Sequence, residues 1–191
     1  MSRSLLLLAS GTGSLAQAII EASQSGKLAA NVLAVLTDKT DSPVVAKCEL
    51  LGIPIISHPL NVDRESWDEE LFLITKTLNP ALVVSAGFMR ILSPEYVSTF
   101  KVINSHPSLL PNFPGAHAVR DTLRAKATVT GTTIHWVDAG MDTGEVITSH
   151  EVPVLDGDTE ELLHERIKIV ERGLIVATIS QVLDTLETSD E

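Results

Sequence analysis

The sequence predicts an α/β protein. It reads as a Rossmann-like, mostly parallel sheet with helices on both faces, antiparallel strands late in the chain and a long C-terminal helix. Three observations carry that expectation. Short apolar runs alternate with amphipathic stretches through the first hundred or so residues, the pattern of successive βαβ units. The first run, 5–9, is apolar at every position, as a strand covered on both faces must be. The chain then closes on a long stretch of helical period.

Taken in order, 5–9 is the first strand and 14–25 the first helix, with Leu15, Ile19 and Ala22 at helical spacing. Residues 31–37 form a second strand, and 43–51 a helix capped by Ser42. A short third strand at 54–56 precedes a helix over 64–78, for which Asp63 is the N-cap. Residues 81–86 are a fourth strand. Ser93-Pro94 then starts a short helix to Phe100, since proline suits the first helical position. The fifth strand covers 101–103 and ends at Asn104. The three prolines and one glycine within 106–115 dictate a structured loop. A helix over 118–125 and an antiparallel pair, 129–137 with 145–154, lead into the final helix from about 159 to 186. Asp158 and Glu161 have capping-box spacing, and Leu162, Leu163, Ile167, Val170 and Leu174 make its apolar stripe. Residues 188–191 read as a frayed, disordered tail.

The 191 residues fit one domain, 1–191, large enough to bury a sizeable core. A net charge of −11 argues against coating a nucleic acid, which takes excess Lys and Arg. It does not argue against a small anion held at a helix N-terminus. Cys48 is the only cysteine and reads as a buried small hydrophobe on a helix, in keeping with a cytoplasmic location. The apolar run after Arg3 is too short for a secretory signal, and no run approaches a membrane span. The histidines lack ligand spacing, so no metal is expected.

Chemistry concentrates in three places. The turn Ser10-Gly11-Thr12-Gly13-Ser14 follows a strand and opens a helix, so its backbone N–H groups suit a phosphate. It also fits a dinucleotide fingerprint loosely, with Asp38 as a ribose ligand, or an ordinary βα turn. Asn104-Ser105-His106-Pro107 lies at the carboxyl end of a strand, where open α/β sheets place ligands. An Asn amide and a protonated imidazole would stabilise the oxyanion of an acyl transfer, and His titrates near neutrality. The third place is the acidic turn 138–144, where either Asp138 or Asp142 has the spacing to orient His106 and favour its imidazolium. Two rival readings remain: an NAD(P)-binding oxidoreductase, which leaves the Asn104–His106 loop unexplained, and a non-catalytic nucleotide-binding module.

Together these segments resemble the folate-dependent glycinamide ribonucleotide formyltransferase family over nearly the whole chain. The resemblance is carried by the phosphate turn, by Ala86-Gly-Phe-Met-Arg-Ile-Leu-Ser-Pro94, by Asn104-Ser-His-Pro-Ser-Leu-Leu-Pro111 with Phe113-Pro-Gly115, and by Gly131-Thr-Thr-Ile-His135 with Asp142-Thr-Gly144. It implies formyl transfer from 10-formyltetrahydrofolate, a co-substrate, to the amine of 5'-phosphoribosylglycinamide in purine biosynthesis. Asn104 and His106 would stabilise a tetrahedral intermediate, with Asp142 assisting. Gly13, Ser14, Leu15 and Glu171 would hold the ribonucleotide. Arg64, Met89, Arg90, Ile91, Leu92, Asn104, Asp138, Ala139, Gly140, Met141 and Asp142 would hold the folate. A phosphate-binding half of about 1–100 and a catalytic, folate-binding half of about 101–187 follow. The implied partners are these small molecules, with no nucleic acid and no membrane; a homodimer is left open. Three residues depart from the family pattern. Leu15 replaces a usual Asn, Ser105 a usual Ile, and Glu145 a usual Pro, which would loosen the acidic turn.

Overall fold

A computed structural model describes residues 3–60 and 63–189, with the side chain of Ser189 left aside. Seven strands form one sheet in the order β3-β2-β1-β4-β5-β6-β7. The strands β1 (Ser4–Leu8), β2 (Asn31–Thr37), β3 (Ile55–Ser57), β4 (Leu82–Ser85) and β5 (Val102–His106) are mutually parallel. β6 (Val129–Trp136) runs antiparallel to β5, and β7 (Val146–Pro153) antiparallel to β6.

Strand alternation explains why β1 is apolar from Leu5 onward. Leu5 and Leu7 enter one core layer, with Ile19 of α1 (Ser14–Gln24), Cys48 of α2 (Pro43–Leu51) and Ile175 and Ile179 of α6 (Glu160–Ser189). Leu6 and Leu8 enter the opposite layer, with Trp67 and Leu71 of α3 (Arg64–Leu78) and Tyr96 of α4 (Pro94–Thr99). A strand buried on both faces has no polar positions to give. The two polar atoms carried into the second layer are satisfied: Trp67 Nε1 donates to the His58 carbonyl, and the Tyr96 hydroxyl meets Thr75 Oγ1 at 2.8 Å.

The chain leaves β1 toward β2 on one side and returns to β4 on the other. That switch opens a crevice at the carboxyl ends of β1 and β4, the usual place for a ligand in such sheets. The two turns bordering it are tied together: Ser10 N–H donates to the Gly87 carbonyl (3.1 Å), and Met89 N–H to Ser10 Oγ (2.8 Å).

Several sequence expectations are corrected. β5 does not stop near Asn104, because the antiparallel partner β6 continues the ladder through His106↔Thr133. Ser42 begins α2 without a side-chain cap, its hydroxyl lying 3.2 Å from Thr37 Oγ1. Thr159, not Asp158, caps α6, accepting from Leu162 N–H, while Asp158 pairs with Arg166 at 2.7 Å. Leu162 is exposed, so the expected apolar stripe holds at Leu163, Ile167, Val170 and Leu174 but not there. Residues 188 and 189, placed in the tail, continue α6; 190 and 191 lie outside the described residues. Asp63 caps α3 as expected, accepting from Ser66 N–H. Among the described residues no helix is long and apolar enough to cross a membrane.

Candidate active site

One cavity of about 520 Å³ sits over the carboxyl ends of β1, β4 and β5. The turn at 11–15, the segment 85–92, residues 104–107, residues 115–119, part of the acidic turn and one face of α6 line it.

The phosphate turn is set by Gly13, the N-cap of α1, at φ 67° in the left-handed region. A Cβ there would also collide with the Val44 side chain, so glycine is required both by conformation and by the approach of α2. Leu15 is 5% exposed, and its side chain packs into the core. Asp38, the ribose candidate of the dinucleotide fingerprint, does not line the cavity. It is buried and paired with Arg90 Nε at 2.7 Å, which anchors the 87–92 segment to the end of β2.

At the other end of the cavity, β5 and β6 pair Asn104 with His135. His135 Nδ1 lies 2.8 Å from the Trp136 carbonyl, and its Nε2 lies 3.2 Å from Asn104 Nδ2. Asp142 bridges the two histidines. Its Oδ2 lies 3.3 Å from His106 Nδ1 and its Oδ1 3.5 Å from His135 Nε2. Oδ2 also accepts from Gly115 N–H at 2.7 Å, fastening the acidic turn to the loop after β5. His106 is held at its far side as well, Nε2–H donating to the Phe113 carbonyl at 2.8 Å. The loop bearing that carbonyl contains the cis bond Leu110–Pro111.

The electrostatics differ from the sequence expectation of a protonated imidazole. Burial pushes the His106 pKa down, outweighing the Phe113 carbonyl and the Asp142 charge, which pull it up. Burial alone would raise the Asp142 pKa, but the hydrogen bonds from His135 and Gly115 and the His106 charge bring it below its ordinary value. The resting arrangement is therefore a carboxylate behind a neutral ring, with the ring proton at Nε2 and a lone pair at Nδ1.

Of the residues singled out from sequence, Gly13, Ser14, Leu15, Met89, Arg90, Ile91, Leu92, Asn104, His106, Asp138, Gly140, Met141, Asp142 and Glu171 all line this cavity. Arg64 and Ala139 do not. Arg64 pairs with Asp68 at 2.8 Å and donates to the Ile91 carbonyl, so it reaches the cavity only through that segment. Of the two candidate partners for His106, Asp142 is the one in place. Asp138 instead accepts from Gly140 N–H and Thr143 Oγ1, closing the turn. Glu145 follows that turn, and its carbonyl accepts from Trp136 N–H at 2.9 Å. Sequence reasoning missed Glu160, His164 and Lys168, which line the cavity from α6 with Glu171. Their steps of four, four and three residues are the helical period, a signal legible once Glu171 was in hand. Among the described residues no group of three or more His, Cys, Asp or Glu is arranged to hold a metal ion.

Comparison with known proteins gives the same picture. Residues 3–179 match the family model described as Formyl transferase. The chain is 46% identical over 182 residues to the phosphoribosylglycinamide formyltransferase of Mycobacterium tuberculosis (strain H37Rv), covering 92% of this chain and 83% of that one. It is 38% identical over 186 residues to the Escherichia coli (strain K12) protein of the same name, covering 94% and 87%. The crystal structure of phosphoribosylglycinamide formyltransferase from Bacillus halodurans superposes with a TM-score of 0.89 at 38% identity, covering 94% of this chain and 95% of that one.

Proposed function

Since this chain belongs to the formyl transferase family, we propose that it moves the formyl group of 10-formyltetrahydrofolate onto the amine of 5'-phosphoribosylglycinamide, a step of purine biosynthesis in the cytoplasm. The observation that carries this reading is the convergence of Asn104, His106 and Asp142 in the same cavity as the phosphate turn.

The two substrates enter from the two ends. The ribonucleotide phosphate sits on backbone N–H groups of Gly13, Ser14 and Leu15 at the start of α1, with Lys168 as the nearby α6 cation and Glu171 on the ribose. The formyl donor lies against 89–92 and 138–142. The exposed apolar side chains of Met89, Ile91 and Met141 suit a flat heteroaromatic ring, and the irregular backbone at 89–92 supplies amide groups for its edge. Arg64 contributes by holding the Ile91 carbonyl.

The residues then divide the work. Asn104 Nδ2, set beside His135 Nε2 at 3.2 Å, offers an N–H to the oxygen that gains charge as the amine adds to the formyl carbon. The proton the amine loses passes by way of the Asp142 carboxylate to the His106 lone pair at Nδ1, 3.3 Å from Asp142 Oδ2. Both ring nitrogens then face acceptors, Phe113 O and Asp142, so the imidazolium is held, and its charge supports the oxyanion. Returning that proton to the departing nitrogen releases the folate product. The imidazolium expected from the sequence thus becomes a state reached during the reaction.

The test is direct. Purified protein is mixed with 5'-phosphoribosylglycinamide and 10-formyltetrahydrofolate, and formylated ribonucleotide is followed by mass spectrometry alongside the absorbance of the folate product. Formation of both at equal rates is expected. Turnover of a nicotinamide cofactor with no formyl transfer would establish the oxidoreductase reading instead.

A further inference from the structure

β5 presents successive residues to opposite faces of the sheet. Val102 belongs to the core layer under α3 and α4, and Ile103 to the layer under α1, α2 and α6. By the same alternation Asn104 and His106 share one face, and Ser105, between them, looks toward α6. There Ser105 Oγ donates to Glu171 Oε1 at 2.7 Å in a buried setting and lies 3.3 Å from Thr132 Oγ1. Ser105 and Glu171 both line the cavity, yet the chemistry above gives Ser105 no task.

A carboxylate has two oxygens able to accept from a sugar hydroxyl, and a free side chain can offer either from several rotamers. Here one oxygen is occupied by a hydroxyl fixed in a strand of the central sheet. We propose that Ser105 is a positioning residue for the ribonucleotide: its hydroxyl holds Glu171 so that Oε2 alone faces the ribose. This rests on the reading of Glu171 as the ribose contact. One strand would then serve both substrates, its 104/106 face handling the transferred group and its 105 face the acceptor's sugar.

The same bond bears on charge. Burial raises the Glu171 pKa, against the Ser105 hydroxyl and the positive charges of Lys168 and Arg172 on its own helix. β5 meets it with the neutral hydroxyl of Ser105, behind which Thr132 Oγ1 of β6 lies 3.3 Å away. The other titratable groups lining the cavity are Arg90, His117, Glu160, His164, His106, His135, Asp138 and Asp142. Removing the Ser105 hydroxyl takes away one influence that keeps Glu171 ionised, so its pKa rises further.

Steady-state kinetics with both substrates on Ser105→Ala, Ser105→Thr, Glu171→Gln and the Ser105→Ala/Glu171→Gln pair test this between pH 5.5 and 8.5, with thermal midpoints confirming that each variant is folded. Ser105→Ala is expected to raise KM for the ribonucleotide roughly tenfold, the loss of one charge-assisted hydrogen bond, with kcat and the KM for the formyl donor little changed. Its KM should begin to climb on acidification at a higher pH than in the parent protein. Ser105→Thr should restore both. In the Glu171→Gln background, Ser105→Ala should add nothing. If Glu171→Gln raises KM but folded Ser105→Ala leaves KM and its pH dependence untouched, the positioning role is overturned while the ribose contact stands. A Glu171→Gln protein with parental KM would overturn the ribose contact itself.

Discussion

At the phosphate end of the cavity the working groups are consecutive residues of one βα turn; at the chemical end they come from two strands and two loops. In the proposed function Gly13, Ser14 and Leu15 act through backbone N–H groups, whose direction is fixed once β1 ends and α1 begins. In the same proposal Asn104, His106 and Asp142 act through side chains, each oriented from outside its own element: a ladder pair for Asn104, the Phe113 carbonyl for His106, the Gly115 N–H for Asp142. Local construction makes the first end tolerant of side-chain change and intolerant of backbone change. Distributed construction makes the second end the reverse.

Substitutions can break that contrast. The largest effect is expected at His106→Ala and Asn104→Ala, each lowering kcat by ~10²-fold or more while the protein stays folded, as loss of a proton acceptor or oxyanion donor should. Near-parental kcat in folded His106→Ala would remove the chemical end altogether. Asp142→Asn comes next, with turnover down about tenfold, the scale of losing an orienting partner. Its charge holds the His106 pKa up against burial, so without it that pKa falls further and the acid limb of the kcat profile moves to lower pH. An NMR titration giving the same His106 pKa in both proteins would refute the pairing.

At the phosphate end the ordering should invert. Gly13→Val strains a positive φ and meets Val44, so calorimetry should show ribonucleotide affinity falling sharply and the melting midpoint falling with it. Leu15→Asn should change affinity by no more than one neutral hydrogen bond, ~0.5–1.5 kcal/mol, and cost stability instead, because it puts an amide among core residues. If Gly13→Val binds like the parent protein, the phosphate is seated elsewhere. The smallest effect belongs away from the cavity, at Asp158. Its pairing with Arg166 brings its carboxyl pKa from 3.8 to about 2. A depressed carboxyl pKa contributes stability above the ordinary value and loses it as pH falls through the folded value. Asp158→Asn should therefore melt earlier than the parent at pH 7 and match it near pH 2; an equal deficit at both would show that the bridge is not the cause.

Element type and order were legible in the residues, because apolar period, proline and glycine placement and the Asp63 cap are local signals. Within the site, the members that local chemistry marks were found: the glycine turn, Asn104 and His106. Lys168 and His164 were not, since a charged residue on a long helix looks the same whether it faces solvent or a cavity. Asp38 misled for the converse reason. At the end of β2 it has the spacing of a ribose ligand, but Arg90 from the far side of the switch point claims it first.

What the sequence by itself determined is the set of chemical groups, the βαβ frame that puts their loops at the carboxyl edge of a sheet, and the backbone geometry of the first turn. Tertiary structure decided which groups meet. It chose Asp142 over Asp138 for His106 because Thr143 and Gly140 turn Asp138 inward on its own loop. It carried β5 on to His106 because β6 pairs with it. It also reversed the expected resting charge of His106, since burial is a property of everything packed around a ring and no stretch of neighbouring residues encodes it.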